Sequence, residues 1–183
     1  MIINEKLVTL KSGVEVTLKS PRVADAENFL AHLTTTHTES YKNLNFKPEY
    51  WKNFPVEDER KIIGDFETSE SKFLINAFYD GKVVGGLGFV GAQPEFMRHN
   101  ATIGISVVKA FANSGLGTAM MNYALAEGKK LGFHRVDLTV RTYNEAGIAL
   151  YEKLGFERIG RLKHMALIDG QYVDEYAYQL ILD

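Results

Sequence analysis

Leu7-Val8-Thr9-Leu10 and Val14-Glu15-Val16-Thr17-Leu18 are runs rich in β-branched residues, with the polar turn Lys11-Ser12-Gly13 between them. Two such runs around a glycine turn predict a short β-hairpin. Behind Pro21, residues Val23, Ala26, Leu30 and Leu33 recur at helical spacing and predict an amphipathic helix over 23–33. Residues 34–54 carry no clean period and are rich in Thr, Asn and aromatics: Tyr41, Phe46, Tyr50, Trp51 and Phe54. Two readings stand side by side: loops and short helices whose aromatics cap the core, or a wall of a substrate pocket. Pro55 then opens a helix over 56–66, with Glu57, Asp58 and Glu59 in its first turn, where the helix dipole favours acids.

The second half is more regular. Residues 72–79 read as a strand, Asp80-Gly81 as a tight turn, and 82–90 as the returning strand. Three glycines inside that strand, Gly85, Gly86 and Gly88, predict a close backbone approach or a bulge. A polar connector over 91–100 leads to a strand over 101–107. A helix over 118–131 follows, its apolar stripe running through Leu116, Met120, Tyr123, Ala124 and Leu131. Residues 135–140 form a strand and 144–154 a helix, with Asn144 as N-cap and Gly155 as C-terminal stop. Two strands over 156–168 and 171–182, joined by Asp169-Gly170, close the chain. Hairpins joined to a strand–helix–strand crossover predict one domain over 1–183, a mixed α/β sheet with helices on both faces.

Composition narrows the function. With 21 Lys+Arg against 23 Asp+Glu the net charge is −2. That balance gives no electrostatic case for nucleic acid or an anionic membrane as partner. There is no cysteine, which excludes disulfides, a thiol nucleophile and cysteine-held metal. His32, His37, His99, His134 and His164 show no ligand spacing, so no metal is expected. The N-terminus lacks the apolar core of a signal peptide, and no apolar run approaches a membrane span. A soluble, cytoplasmic protein is expected.

Candidate chemistry lies between residues 102 and 156. Ser114-Gly115-Leu116-Gly117-Thr118 follows a strand and opens a helix. Glycines there admit backbone conformations closed to other residues, and the helix N-terminus behind them attracts anions. It is not a P-loop, because no Gly-Lys-Ser/Thr ending follows, and Met120 stands where a dinucleotide fingerprint requires a third glycine. The stretch Asn144-Glu145-Ala146-Gly147-Ile148-Ala149-Leu150-Tyr151-Glu152-Lys153-Leu154-Gly155-Phe156 is more specific. Taken alone, it is accounted for by a capped helix with Tyr151 in the core.

Together the two elements resemble the acetyl-CoA signature of the GNAT superfamily of N-acetyltransferases. The later helix matches the family's Asn-x-x-Ala-x-x-Leu-Tyr-Glu-Lys-Leu-Gly-Phe except for Gly147 at the usual Ala, and Gly115 and Gly117 match the glycines of the family's loop. The resemblance implies a central sheet of about seven strands, acetyl-CoA as cosubstrate and an acceptor amine, on a small molecule or at a protein N-terminus. It also implies that Asn113, Ser114, Gly115, Leu116, Gly117 and Thr118 cradle the diphosphate. Ile105, Ser106 and Val107, on a strand that splays from its neighbour at a bulge, would pair with the pantetheine arm, and a backbone N–H there would hold the thioester oxygen. Asn144 would hydrogen-bond the arm, and Tyr151 would act as general acid toward the departing thiolate. A non-catalytic acyl-CoA-binding module on the same fold is the alternative. The sequence departs from the family at Ala112, where Gln or Arg is usual, at Asn113, and near Thr102, where related chains carry a glutamate base. Glu95 and His99 are the nearest titratable substitutes, each more simply read as a surface residue. Arg141 is read as paired to an acidic neighbour, Lys153 as solvated, and a homodimer as the usual assembly by base rate.

Overall fold

The computed structural model describes residues 1–182. The first hairpin is β1 (Lys6–Thr9) and β2 (Glu15–Lys19). Helix α1 (Ala26–Ser40) follows a single 3-10 turn at Val23–Asp25. It runs seven residues beyond the expected end at 33, through a Thr-rich segment of poor helix formers. The hydroxyls of Thr34, Thr35, Thr36 and Thr38 each donate to the carbonyl four residues back, at 2.8–3.0 Å, which satisfies them within the helix. The buried side of α1 is Ala26, Phe29, His32, Thr36 and His37, rotated from the predicted stripe; Val23 is exposed and precedes the helix. Helices α2 (Pro48–Lys52) and α3 (Val56–Thr68) complete the first half.

Strands β3 (Lys72–Tyr79) and β4 (Lys82–Gly91) form the second hairpin, and β5 (Asn100–Val107) pairs antiparallel with β4. Helix α4 (Leu116–Lys130), β6 (Arg135–Arg141), α5 (Glu145–Lys153), β7 (Glu157–Ile168) and β8 (Gln171–Ile181) follow. Leu131, placed on the α4 stripe from sequence, is the C-cap and is exposed. The sheet has eight strands rather than about seven, in the order β1-β2-β3-β4-β5-β6-β8-β7.

The glycines of β4 explain how helices pack on both faces. Successive strand residues point to opposite faces. A Cβ on Gly85 would lie 2.7 Å from Met120 Sδ of α4, and one on Gly86 would lie 2.9 Å from Phe29 Cε2 of α1. Each glycine therefore admits a helix on its own face. The α4 face carries the larger core, including Leu18, Phe73, Phe89, Met120, Val136 and Tyr178. The α1–α3 face carries Ala26, Phe29, Ile63, Leu74 and Val83.

One feature of the sheet positions the site. Strands β5 and β6 are parallel and pair only through Asn100, Ala101 and Thr102 with Arg135, Val136 and Asp137. Beyond Thr102, β5 stays with β4 as far as Val107, while β6 stays with β8 as far as Arg141. The sheet opens there into a V. No register shift interrupts the β4–β5 ladder, so the expected bulge is absent from this pairing and the splay occurs without it.

Candidate active site

The V is the floor of a cleft of about 1070 Å³. Its lining includes Ile105, Ser106 and Val107 of β5, Asn113, Gly115, Gly117 and Thr118 at the start of α4, and Asn144 and Tyr151 of α5. Residues separated by up to 46 positions in sequence thus share one surface. Ser114 and Leu116 do not line it. Leu116 is fully buried in the core. The Ser114 hydroxyl donates to Phe111 O at 2.7 Å and accepts from Leu116 N at 3.2 Å, so it closes the loop on itself.

The main chain of β5 has a defined polarity. Val108 N donates to Val84 O at 3.1 Å, and Asn100 O accepts from Ala92 N at 2.9 Å. Even-numbered residues therefore bond to β4, and by alternation Ile105 and Val107 direct their N–H and C=O groups into the gap. Ser106 directs its main chain to β4, and its Oγ lies 2.9 Å from His32 Nε2. His32 is buried beneath α1, and desolvation lowers its pKa to about 4. It is a neutral partner for Ser106 at neutral pH.

The loop before α4 is set by its backbone. Gly115 is the N-cap of α4 at φ +92°, and Asn113 is also left-handed at φ +58°. At φ +92° any side chain is strained, which is why glycine stands there. Leu116 N is taken by Ser114, and among the described residues the N–H groups of Gly117 and Thr118 have no acceptor. Gly117 has a second reason: a Cβ there would come within 3.3 Å of Leu150 Cδ2, so its absence lets α5 close on α4. Two unfilled donors at the positive end of a helix suit a phosphate.

On α5, Asn144 Oδ1 caps the helix by accepting from Gly147 N at 3.1 Å. Asn144 also lines the cleft, and among the described residues its amide nitrogen has no acceptor. The alanine usual at position 147 would place a Cβ 2.8 Å from Asn144 Nδ2, so glycine makes room for this cap. Tyr151 is buried against Phe156 and Tyr178, with ring centroids 5.9 and 6.3 Å away. Burial alone raises its pKa to about 12, so the phenol holds its proton at neutral pH.

The other end of the cleft is walled by His37, Phe46 and Trp51, which brings part of the 34–54 segment to the site. Arg141 is buried in an ion pair with Glu175, its cross-strand partner on β8, and also donates to Asn45 Oδ1 at 3.1 Å. The expected acidic partner is there, and the same guanidinium ties the 41–47 connector to the sheet. Glu95 and His99 are exposed and do not line the cleft; Lys153 does.

Three residues at the site escaped the sequence reading. Asp137 pairs in register with Thr102 at the apex, and its carboxylate accepts from Arg135 Nε at 2.9 and 3.0 Å. Its signal was strand alternation, since Val136 and Leu138 are buried and Asp137 between them must face the other way. His32 follows Phe29 by three positions on the buried side of α1, a spacing that was readable. Lys11 lines the cleft from the β1–β2 turn and carries no sequence signal.

The split sheet thus opens a cleft with the N-terminus of α4 on one side and the protonated phenol of Tyr151 on the other. The chain belongs to the acetyltransferase (GNAT) family, whose profile matches residues 33–156. It is 30% identical over 155 residues to the L-amino acid N-acetyltransferase AaaT of Escherichia coli, covering 82% of this chain and 96% of that one. An acetyltransferase of the GNAT family from Streptococcus pneumoniae superposes with a TM-score of 0.85 at 23% identity, over 92% of this chain and 99% of its own. The yncA structure of Salmonella typhimurium, solved with its cofactor acetyl-CoA, gives a TM-score of 0.79 at 18% identity, over 92% and 94% of the two chains. The protein is an acetyl-CoA-dependent N-acetyltransferase rather than a binding module. The residues present fit that cosubstrate: the open donors of Gly117 and Thr118 suit a diphosphate, and the free main chain of Ile105 and Val107 suits an extended amide arm.

Proposed function

We propose that the protein transfers the acetyl group to a primary amine by direct attack on the thioester, with Tyr151 as general acid. Acetyl-CoA supplies the activated acyl carbon. Gly117 and Thr118 hold its diphosphate, Ile105 and Val107 its arm, and Asn144 donates to the arm from the opposite wall. A backbone N–H of β5 stabilises the thioester oxygen as it gains charge. The amine must be neutral to attack, and a free alkylamine has a pKa of about 10.4. Asp137 at the apex takes the amine proton, directly or through water. Tyr151 gives its proton to the departing thiolate. The acceptor amine sits on a small molecule or at a protein N-terminus, and the α-amine of an L-amino acid is the first class to test, given the E. coli relative.

The observation that supports this reading is the position of Tyr151: a phenol kept protonated by burial, on the wall of the cleft that holds the open end of α4. Steady-state assays of free thiol release, over a panel of L-amino acids, peptides and alkylamines, test it. Tyr151→Phe is expected to lower kcat by about 10²-fold with CoA affinity retained, the scale of a positioned acid. An unchanged kcat would remove the general-acid role. Asp137→Asn in the same assay is expected to lose a similar factor, and full activity would return proton removal to bulk water.

A further inference from the structure

Lys11 opens the turn between β1 and β2, a hundred residues from the glycine loop in sequence. In space it is fastened to that loop. Its main-chain N–H donates to Ser114 O at 3.1 Å. Its side chain lies across the face of Gly115: a Cβ built on that glycine would stand 3.5 Å from Lys11 Cγ, 3.9 Å from Cδ and 3.7 Å from Cε. The stem therefore runs along the N-terminus of α4, and the ammonium, one bond beyond Cε, comes to rest beside the loop. Lys11 lines the cleft, and among the described residues it has no ion-pair partner.

The placement is electrostatically costly without a ligand. A cation at the positive end of a helix is repelled by it, where an acid would be stabilised. The turn nevertheless fixes this lysine there with a backbone hydrogen bond, and its stem runs within contact distance of the face of Gly115. An anion lodged between the two reverses the sign of the interaction, since it attracts both the ammonium and the open N–H groups of Gly117 and Thr118.

We infer that Lys11 is the side-chain cation for the diphosphate of the acyl donor, closing on it from the β1–β2 turn while the α4 backbone holds it from below. The inference rests on the cleft being the CoA site. It also gives the β1–β2 hairpin, at the far edge of the sheet from α5, a part in cofactor binding.

Isothermal titration of the wild type and Lys11→Met with CoA, dephospho-CoA and pantetheine tests it. Methionine keeps an apolar stem over Gly115 and removes the charge at an exposed position, so without a ligand the variant should melt at the wild-type temperature or slightly above it, as loss of a cation from the positive end of α4 requires. The expected result is a Kd about tenfold weaker for CoA and for dephospho-CoA, with no change for pantetheine, which has no diphosphate. The difference between the two proteins should also shrink with added salt. An unchanged Kd for CoA would overturn the role. So would an equal loss with pantetheine, which marks a structural effect, or a loss that vanishes with dephospho-CoA, which moves the contact to the 3′-phosphate. Failure of the wild type to bind CoA would instead overturn the donor site itself, so the two failures are separable.

Discussion

Glu59 shows how one side chain sets a pH dependence without touching the chemistry. It lies on the buried side of α3, one turn before Ile63, and is 1% exposed. Among the described residues it has no cationic partner, and desolvation raises its pKa from 4.5 to about 7. The folded protein therefore keeps this proton between those values while the unfolded chain releases it. More protons bound in the folded state means that stability falls as pH rises through this window, and the loss is complete above pH 7. Glu59→Gln removes the ionisable group and keeps the shape. It should be more stable than the wild type at pH 8 by roughly 3–4 kcal/mol, taking about 1.4 kcal/mol per pKa unit over the shift from 4.5 to about 7. For a chain of this size that is a Tm gain of roughly 7–14 °C. At pH 4 Glu59 is protonated in the fold and mostly protonated in the unfolded chain, so the gain should nearly vanish. Thermal melts at the two pH values decide it, and an equal difference at both would show that Glu59 titrates in the fold as it does in the unfolded chain.

At the scale of elements, strand β4 links the sequence to the site most directly. Its glycine pair was readable as a demand for close approach; which neighbours approach was not, because that depends on helices distant in sequence. Gly85 meets the thioether of Met120, whose flexible end can turn aside. Gly86 meets the rings of Phe29 and His32, at 2.9 and 3.1 Å from a built Cβ, and rings seated in a core cannot. Gly86→Ala should therefore cost about 1–3 kcal/mol by overpacking and push His32 away from Ser106, while Gly85→Ala costs less. Melting both variants tests the order, and a larger loss at Gly85 would contradict it. The helices show the same limit on reading. Helix α5 was legible from its cap to its glycine stop, because those signals are local. The last two turns of α1 were not, because Thr34, Thr35, Thr36 and Thr38 have weak helical preference and are held by hydroxyl bonds that periodicity does not register.

At the scale of the whole molecule, the sheet is two blocks, β1–β5 and β6–β8, joined along the three paired positions of β5 and β6. The motifs and their spacing were in the sequence, but the V was not, since it is fixed by where a parallel ladder stops. Nor were Lys11 and Asp137, which reach the site through pairing between distant segments. In the proposed binding mode the cosubstrate spans this gap, with one wall supplied by β5 and α4 and the other by α5. Binding should then act as a clamp. At a CoA concentration one hundred times Kd, mass action adds about 2.7 kcal/mol to stability, whatever the contacts. That is a rise in Tm of roughly 5–10 °C. The location of the protection carries the structural content. In hydrogen exchange, CoA should slow the amides of Ile105, Val107, Gly117 and Thr118, which lack acceptors in the open cleft, more than amides already paired in the β7–β8 hairpin. A Tm rise accompanied by slowing confined to β7 and β8 would place the cosubstrate elsewhere and leave the V without a role in holding it.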